Sequence, residues 1–170
     1  MERKATSGIM LTMLLIGMST LAFNIQTVKS EPTTIIVPDD CEKIQWAIGN
    51  ASDGDTIFVR AGTYYENIII DKTLSLVGES RSNTIIDGNR TGTVVWVQAN
   101  NAVVSNFTIR NGARTVSPPL IIPGHGVHIS GSRCTIVENI ITNNTEDGIE
   151  IYSATNCKII RNIITNNAYI

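Results

Sequence analysis

The chain has 170 residues, which is enough for one domain with a short appendage. It carries 13 Lys and Arg against 15 Asp and Glu, and this slightly acidic balance excludes a nucleic-acid-binding protein that needs a basic face. Ile (27) and Thr (19) far outnumber Leu (7), and Asn occurs 16 times. Ile and Thr favour strands and Asn favours turns, so the composition excludes a helical bundle and a disordered chain.

The N-terminal segment has the pattern of an export signal. Arg3 and Lys4 precede an apolar run at residues 8–23, and a candidate cleavage point lies before Glu31. We expect residues 1–30 to be a signal peptide, with an uncleaved anchor as the alternative, because a membrane span needs only ~20 residues. In either case the expected location is secreted, periplasmic or extracellular on the cell surface, and only this segment is expected to touch a membrane.

A short helix is predicted next, at about residues 40–51. Asp39 or Asp40 is expected to cap its N terminus. An apolar stripe runs along one side of it, formed by Ile44, Ala47, Ile48 and Ala51. The stripe predicts that the helix covers the first strands that follow.

The rest of the chain is built from a short repeat. Residues 126–129 (GVHI) are similar to residues 148–151 (GIEI). Residues 134–144 (CTIVENIITNN) are similar to residues 157–167 (CKIIRNIITNN). The pattern continues more weakly upstream, with three short apolar segments in each repeat and Gly or Asn between them. The regular two-residue turns of β-hairpins are missing. A period of about 22 residues with three strands predicts an all-β parallel β-helix, in which three-strand coils stack on one another.

Stacking places equivalent residues of neighbouring coils one strand spacing apart, ~4.8 Å. Asn139 would then lie on Asn162 and form an amide ladder at a turn, and Phe107 would occupy the same rung upstream. Cys134 would lie on Cys157. A disulfide needs Cα atoms ~4.4–6.8 Å apart, which this spacing allows, but parallel side chains favour two buried thiols instead.

Residues 34–79, TIIVPDDCEKIQWAIGNASDGDTIFVRAGTYYENIIIDKTLSLVGE, resemble the N-terminal coils of exported right-handed parallel β-helix repeat proteins. This pectin-lyase-like group includes the carbohydrate-binding and sugar-hydrolase domain and the NosD-type proteins. The resemblance covers residues 33–170 and implies a right-handed solenoid, here a domain at residues 31–170, with an N-terminal capping helix. It implies the fold more than an activity, because the shared residues build the coil.

The last coil has the sequence of an interior coil rather than of a terminal one. We therefore expect the solenoid to be truncated at its C terminus, as a fragment of a longer protein. The alternative is that a partner covers this end.

Two columns of side chains are predicted beside one another. The columns are Trp96, His128 and Glu150, and Thr93, His125 and Asp147. The first column lies on the outer face because its strand neighbours point inward. An aromatic face packs on a sugar ring while imidazole and carboxylate groups bind its hydroxyls, so this face predicts a glycan site, with an inserted loop at about residues 113–124 at its edge. The alternative is that the column only solvates the sheet.

His125, His128, Asp147 and Glu150 also offer metal-ligand chemistry if His125 lies in the turn before the strand of His128. Zinc and copper are the candidate ions, but the chain has only two histidines, and calcium and copper are unsupported, so we assign no metal and no cofactor. The NosD resemblance does not bring copper here, since no Met or His cluster accompanies it. The clustered Asp residues with Arg or His that the pectin-active members use are not recognisable, so no catalytic residue is assigned.

The sequence thus favours an exported or cell-surface β-helix protein that recognises a polysaccharide or glycoconjugate without cleaving it, or that serves in adhesion. One alternative is the N-terminal part of a polysaccharide lyase or hydrolase whose catalytic coils lie beyond residue 170. The other is a structural spacer. The oligomeric state stays open.

Overall fold

The computed structural model describes residues 31–168, and the predicted export signal lies outside this range. The described residues form a stack of coils with one short helix at its start. No helix within them is long and apolar enough to span a bilayer.

The elements follow one another around successive coils. The chain begins with β1 (Thr34–Val37) and the helix α1 (Ile44–Asn50). The first two coils are β2 (Thr56–Val59), β3 (Gly62–Tyr65) and β4 (Ile68–Ile70), then β5 (Ser75–Gly78), β6 (Thr84–Asp87) and β7 (Val95–Val97). The third coil contains β8 (Val103–Ser105), β9 (Thr108–Arg110), β10 (Thr115–Ser117), β11 (Leu120–Ile122) and β12 (Val127–Ile129). The last strands are β13 (Thr135–Val137), β14 (Ile140–Thr142), β15 (Ile149–Ile151), β16 (Lys158–Ile160) and β17 (Ile163–Thr165).

The coils build three parallel sheets. Sheet A has the order β1-β2-β5-β8-β13-β16, sheet B the order β3-β6-β9-β14-β17, and sheet C the order β4-β7-β12-β15. Because each strand pairs with the equivalent strand one coil away, every crossover passes through the other two sheets. The parallel β-helix predicted from the repeats is confirmed.

The predicted period holds for the last coils and varies upstream, from 19 residues between Ile57 and Leu76 to longer separations in the middle of the stack. Ile136 pairs with Ile159, at the separation that the repeat predicts. Leu76 pairs with Val104 and Val104 with Ile136, and both separations along the chain exceed the repeat. The longest coil contains β10 and β11, which pair antiparallel, so the insertion predicted as a loop at about residues 113–124 is a hairpin.

The core lies inside the coils. Ile57, Leu76, Val104 and Ile136 follow one another in register along sheet A, and all are fully buried. Alternate residues of a strand point to opposite faces, so each three-residue strand turns one or two side chains inward. Burying one such side chain stabilises the fold by about 1.5–3 kcal/mol.

The predicted capping of α1 is wrong. Lys43 is the residue before the first helical turn, and its side chain makes no capping hydrogen bond. Asp40 instead accepts the backbone N–H of Ile36 at 2.7 Å, and Asp39 pairs with Arg60 at 2.7 Å. Asp40 therefore binds a nearby N–H group of the turn that precedes the helix, as short Asp side chains commonly do, and Asp39 is occupied by Arg60 from the end of β2.

Two charged side chains of the first coil bind the ends of α1. The carboxylate of Glu66 accepts the N–H groups of Ile44 and Gln45, at 2.9 and 3.0 Å. Lys72 Nζ donates to three carbonyl groups at residues 48–51, at 2.7–3.0 Å. A negative group at the N terminus of a helix and a positive group at its C terminus both interact favourably with the helix dipole. The helix is therefore fixed to the solenoid at both ends, and its predicted apolar stripe is buried against β1, β2 and β4.

Candidate functional site

The outer face of sheet C carries the first predicted column. Trp96, His128 and Glu150 are register partners on β7, β12 and β15, and Ile69 extends the column onto β4. The residues that flank Trp96 on its strand are fully buried, whereas Trp96 itself is 39% exposed. The structure therefore places these three predicted side chains in one line on the surface.

The second predicted column lies in the turn that precedes each of these strands. The N–H of Val94 donates to the carbonyl of His125, and the N–H of Gly126 donates to that of Asp147, at 3.0 and 2.9 Å. This ladder aligns Thr93, His125 and Asp147. His125 is only 5% exposed, and its position in the turn lets it reach the side chains of the first column.

His125 and His128 converge on one oxygen of Glu150. Oε2 of this carboxylate lies 3.0 Å from Nε2 of His125 and 2.5 Å from Nδ1 of His128. Two further carboxylates approach His125, with Asp147 Oδ2 3.3 Å from Nδ1 and Glu146 Oε2 3.5 Å from Nε2. We call these five residues the histidine–carboxylate cluster. Because three acidic groups surround two imidazoles, the cluster has a negative electrostatic potential.

Aromatic rings stand on both sides of His128. Trp96 meets it edge-to-face, with ring centroids 5.3 Å apart, and Tyr152 stacks at 6.3 Å. The indole N–H of Trp96 donates to Ser130 Oγ at 3.2 Å. These contacts fix the orientation of Trp96 and His128, so the column is a rigid surface rather than a row of free side chains.

A cleft of about 450 Å³ opens beside this column. Ile69, Trp96 and His128 line it from sheet C, and Ile122 and Pro123 line it from the hairpin side. Most of the lining is apolar, and the polar groups come from neighbouring turn residues such as Asn67 and Thr93. Its volume is in the range of small-ligand sites, which combine an apolar wall with a few polar groups.

The base of the hairpin is attached to the coil beside the cluster. Thr93 Oγ1 donates to the carbonyl of Pro123 at 3.1 Å, and Glu146 Oε2 accepts the N–H of Gly124, also at 3.1 Å. A Cβ atom on Gly124 would clash with the backbone of Ala113 and Arg114, so only glycine fits this close approach. Glu146 thus connects the hairpin that forms one wall of the cleft to the cluster.

The predicted asparagine ladder is present. Asn162 Oδ1 accepts both the N–H and the side-chain amide of Asn139, at 2.9 and 3.1 Å. Asn139 Oδ1 in turn accepts the N–H of Phe107, which occupies the rung upstream as expected. Asn139 is fully buried, and its amide also donates to the carbonyl of Val104 at 3.0 Å. The ladder stabilises the stacking of the coils and takes no part in the candidate site.

Cys134 and Cys157 also share a rung, since the N–H of Lys158 donates to the carbonyl of Cys134. Both are free thiols in this structure. Cys134 Sγ lies 3.2 Å from the carbonyl of Ala99, and Cys157 Sγ lies 3.5 Å from that of Gly131. Burial raises the pKa of the Cys134 thiol, and the neighbouring Cys157 raises it further.

Sequence reasoning missed a second ladder. Asn144 Oδ1 accepts the N–H of Gly112 at 2.8 Å, and Asn167 Oδ1 accepts the side-chain amide of Asn144 at 2.9 Å. The signal was in the repeat itself, where Asn144 and Asn167 are equivalent. It also missed Asn67, whose amide donates to Thr93 at the cleft, because no repeat marks that position.

Two arginines of the last coils, Arg133 and Arg161, pair with residues outside the cluster. Arg161 pairs with Glu138 at 2.8 Å, and Arg133 donates to Asn101, also at 2.8 Å. Among the described residues, Arg114 approaches the cluster, with its guanidinium 3.7 Å from Glu146. The carboxylates and imidazoles therefore determine the chemistry that the site can perform.

Residues 46–169 match the family described as the right handed beta helix region. The chain belongs to this family. Over 114 residues, or 65% of its length, it is 32% identical to a cell surface glycoprotein of Methanothermus fervidus. The match spans 17% of the length of that curated relative.

Solved structures with the same fold include pectin methylesterases. One bound to a hexasaccharide gives a TM-score of 0.55 at 18% identity, covering 77% of this chain and 49% of that one. PemA from Erwinia chrysanthemi gives 0.53 at 18%, covering 79% and 50%. The enzyme from carrot gives 0.54 at 16%, covering 79% and 47%. At these identities the likeness establishes the right-handed β-helix fold alone.

Proposed function

We propose that this chain is an exported cell-surface β-helix protein that binds a polysaccharide or glycoconjugate in the cleft beside sheet C and does not cleave it. The observation that carries the proposal is Trp96, a fixed and partly exposed indole ring in the wall of the cleft. The C–H face of a pyranose ring packs on such an aromatic surface, and the rigid coil holds the ring in place before a ligand arrives.

Polar groups next to Trp96 would supply specificity. Both histidine contacts of Glu150 use Oε2, which leaves its other oxygen for a sugar hydroxyl. His128 lines the cleft directly. A carboxylate and an imidazole beside an aromatic ring are typical of a site that orients a sugar by its hydroxyl groups.

Two features support a place at the cell surface. The matched relative is named a cell surface glycoprotein. Residues 1–30 have the basic start and apolar run of an export signal. A solenoid that presents one long rigid face is suited to bind an extended polymer outside the cell.

A second candidate is a polysaccharide lyase or hydrolase. The observation that favours it is the cluster itself, where Glu146, Asp147 and Glu150 surround two imidazoles next to the cleft. Carboxylates and imidazoles in mutual contact are the groups that act as general acids and bases. Product formation distinguishes this candidate from recognition alone.

The test is a binding screen against neutral and acidic polysaccharides and arrayed glycans, with new reducing ends and unsaturated uronic ends read in the same samples. We expect binding without products. Trp96→Ala is expected to weaken binding by about tenfold, since the loss of one aromatic contact of about 1.4 kcal/mol has that effect.

The chain offers a matched control in Trp46, its other tryptophan, which is 53% exposed on α1 and outside the cleft. Trp46→Ala is expected to leave glycan binding unchanged. Equal affinities of the two variants would contradict the cleft as the binding site. Cleavage products would establish the second candidate, and no binding to any glycan would favour a structural spacer.

A further inference from the structure

We propose that His125, His128 and Glu150 form a binding site for a transition-metal dication, with zinc as the best fit. One ligand atom from each of these residues lies within 4.8 Å of the other two. The atoms are imidazole nitrogens and a carboxylate oxygen, the set that zinc takes in sites with three protein ligands. The inference goes beyond glycan recognition and does not depend on it.

The distances suit an ion after a small movement. Zinc binds imidazole nitrogen and carboxylate oxygen at roughly 2.0–2.2 Å, so its tetrahedral ligands lie roughly 3.3–3.5 Å from one another. Without the ion, Glu150 Oε2 lies 3.0 Å from His125 Nε2 and makes a hydrogen bond of 2.5 Å with His128 Nδ1. A shift of the carboxylate by less than ~1 Å would place Glu150 Oε2 at metal-site separations from both imidazole nitrogens, which themselves lie within 4.8 Å of each other. Glu150 lies on β15 with its side chain partly exposed, so the carboxylate is not enclosed by the core.

His125 supplies an independent observation. Its Nδ1 is buried and has no hydrogen-bond partner among the described residues, although Asp147 Oδ2 lies only 3.3 Å away. An ion on Nε2 would fix the ring proton on Nδ1, where it faces this carboxylate. Metal-bound histidines commonly donate their other N–H to a carboxylate in this way, which orients the ring and strengthens the ligand. The orphaned atom is thus explained if the site holds a metal.

The charge balance also favours a cation. Glu146, Asp147 and Glu150 lie around two imidazoles, and among the described residues Arg114 approaches one of these three carboxylates, Glu146, at 3.7 Å. A dication would neutralise this excess of acidic groups. Calcium and magnesium prefer oxygen ligands throughout, whereas two imidazole nitrogens favour zinc or a similar transition metal.

Three protein ligands leave a coordination position for water or for a ligand oxygen. His128 borders the cleft, so this open position is reached from the side where Trp96 lies. A sugar hydroxyl bound next to Trp96 would lie near the ion. The site therefore has an access path as well as ligands.

The test uses the purified chain without an affinity tag, stripped of metal with a chelator. We expect zinc chloride, titrated by calorimetry, to bind at one ion per chain, and calcium and magnesium chloride at the same concentrations to give no saturable heat. Zinc should raise the thermal unfolding midpoint. Cobalt(II) should bind in its place and give the visible absorption of a site with nitrogen and oxygen ligands.

Variants locate the site. Glu150→Gln and His128→Ala are expected to weaken zinc binding by on the order of 100-fold, and Asp147→Asn by on the order of tenfold through its effect on His125. Glu138→Gln is the control, because Glu138 is a surface carboxylate that pairs with Arg161 and lies outside the cluster. Circular dichroism and the unfolding midpoint without zinc show whether each variant is folded. Glu150→Gln keeps the size of the side chain, so it stays informative if His128→Ala does not fold.

Absence of saturable zinc and cobalt binding would overturn the proposal. So would binding that persists unchanged in both Glu150→Gln and His128→Ala. The titrations contain no glycan, so they measure zinc binding independently of glycan recognition. A failure to bind glycans would not change the zinc result, and a failure to bind zinc would not exclude Trp96 as a sugar-binding surface.

Discussion

Residues 134–144 and residues 157–167 are two nearly identical segments that the structure stacks directly on one another. Eight of their eleven positions carry the same residue. Their strands pair in register, and their asparagines make equivalent contacts. Their burial nevertheless differs, because the first segment lies between two coils and the second has a described coil on one side only. Ile136 is fully buried, and its partner Ile159 is 38% exposed.

The comparison separates the structural position of a residue from its contribution to the free energy of unfolding. The sequence assigns Ile136 and Ile159 the same inward position, and Asn139 and Asn162 the same turn position. What each contributes to stability depends on how much of its surface the neighbouring coil removes from water. Matched substitutions in the two segments measure this difference directly.

The largest difference is expected for isoleucine. Ile136→Ala should lower the free energy of unfolding of the chain by about 2–5 kcal/mol, because it leaves a cavity in a closed core. Ile159→Ala should cost less than about 1.5 kcal/mol, since part of its side chain already faces water. Urea denaturation of both variants gives the two values. Equal losses would show that the two positions are equally enclosed in solution.

A smaller difference is expected for asparagine. Asn139→Ala leaves the buried N–H of Phe107 and the carbonyl of Val104 without their partners, and should cost about 2–3 kcal/mol. Asn162→Ala removes the same side chain from a half-buried rung, where water replaces the lost bonds, and should cost about 1 kcal/mol. The denaturation midpoints of the pair test this order. A reversed order would mean that the exposed rung holds the ladder together.

The smallest effect concerns thiol reactivity rather than stability. Burial raises the pKa of Cys134 above its usual value, so less thiolate is present at a given pH, and the sulfur is also shielded. Cys157, in the same rung, is only partly buried. Alkylation of the native protein at pH 8, followed by peptide mass spectrometry, should label Cys157 before Cys134. Faster labelling of Cys134 would show that this rung opens in solution.

The repeated segments keep most of the same residues from coil to coil, whereas the candidate site does not. Its column changes residue at each coil, from Ile69 to Trp96, His128 and Glu150, while the inward neighbours stay aliphatic. Repeat analysis identified this column because strand periodicity and register together predict which side chains share an outer face. It placed His125 and Asp147 beside the column for the same reason.

Other parts of the molecule could not be derived in this way. Glu66 and Lys72 hold the ends of α1 from the coil that follows it, whereas the sequence suggested local capping by Asp39 or Asp40. The insertion in the third coil pairs with itself as a hairpin, and no repeat predicts how it bends over sheet C. Such contacts depend on where the coil brings distant segments, and the spacing of residues along the chain does not encode that position.

The sequence by itself determined the coil, its inward aliphatic rungs, the Asn139–Asn162 ladder and the outer column that includes Trp96. These follow from a short repeat and a two-residue strand period, which act locally and identically in every coil. Only the tertiary structure decided that His125 and His128 meet at one oxygen of Glu150, and that a hairpin forms the second wall of a cleft there. Those arrangements depend on side-chain directions in turns and on a single insertion, and both are set by packing between coils.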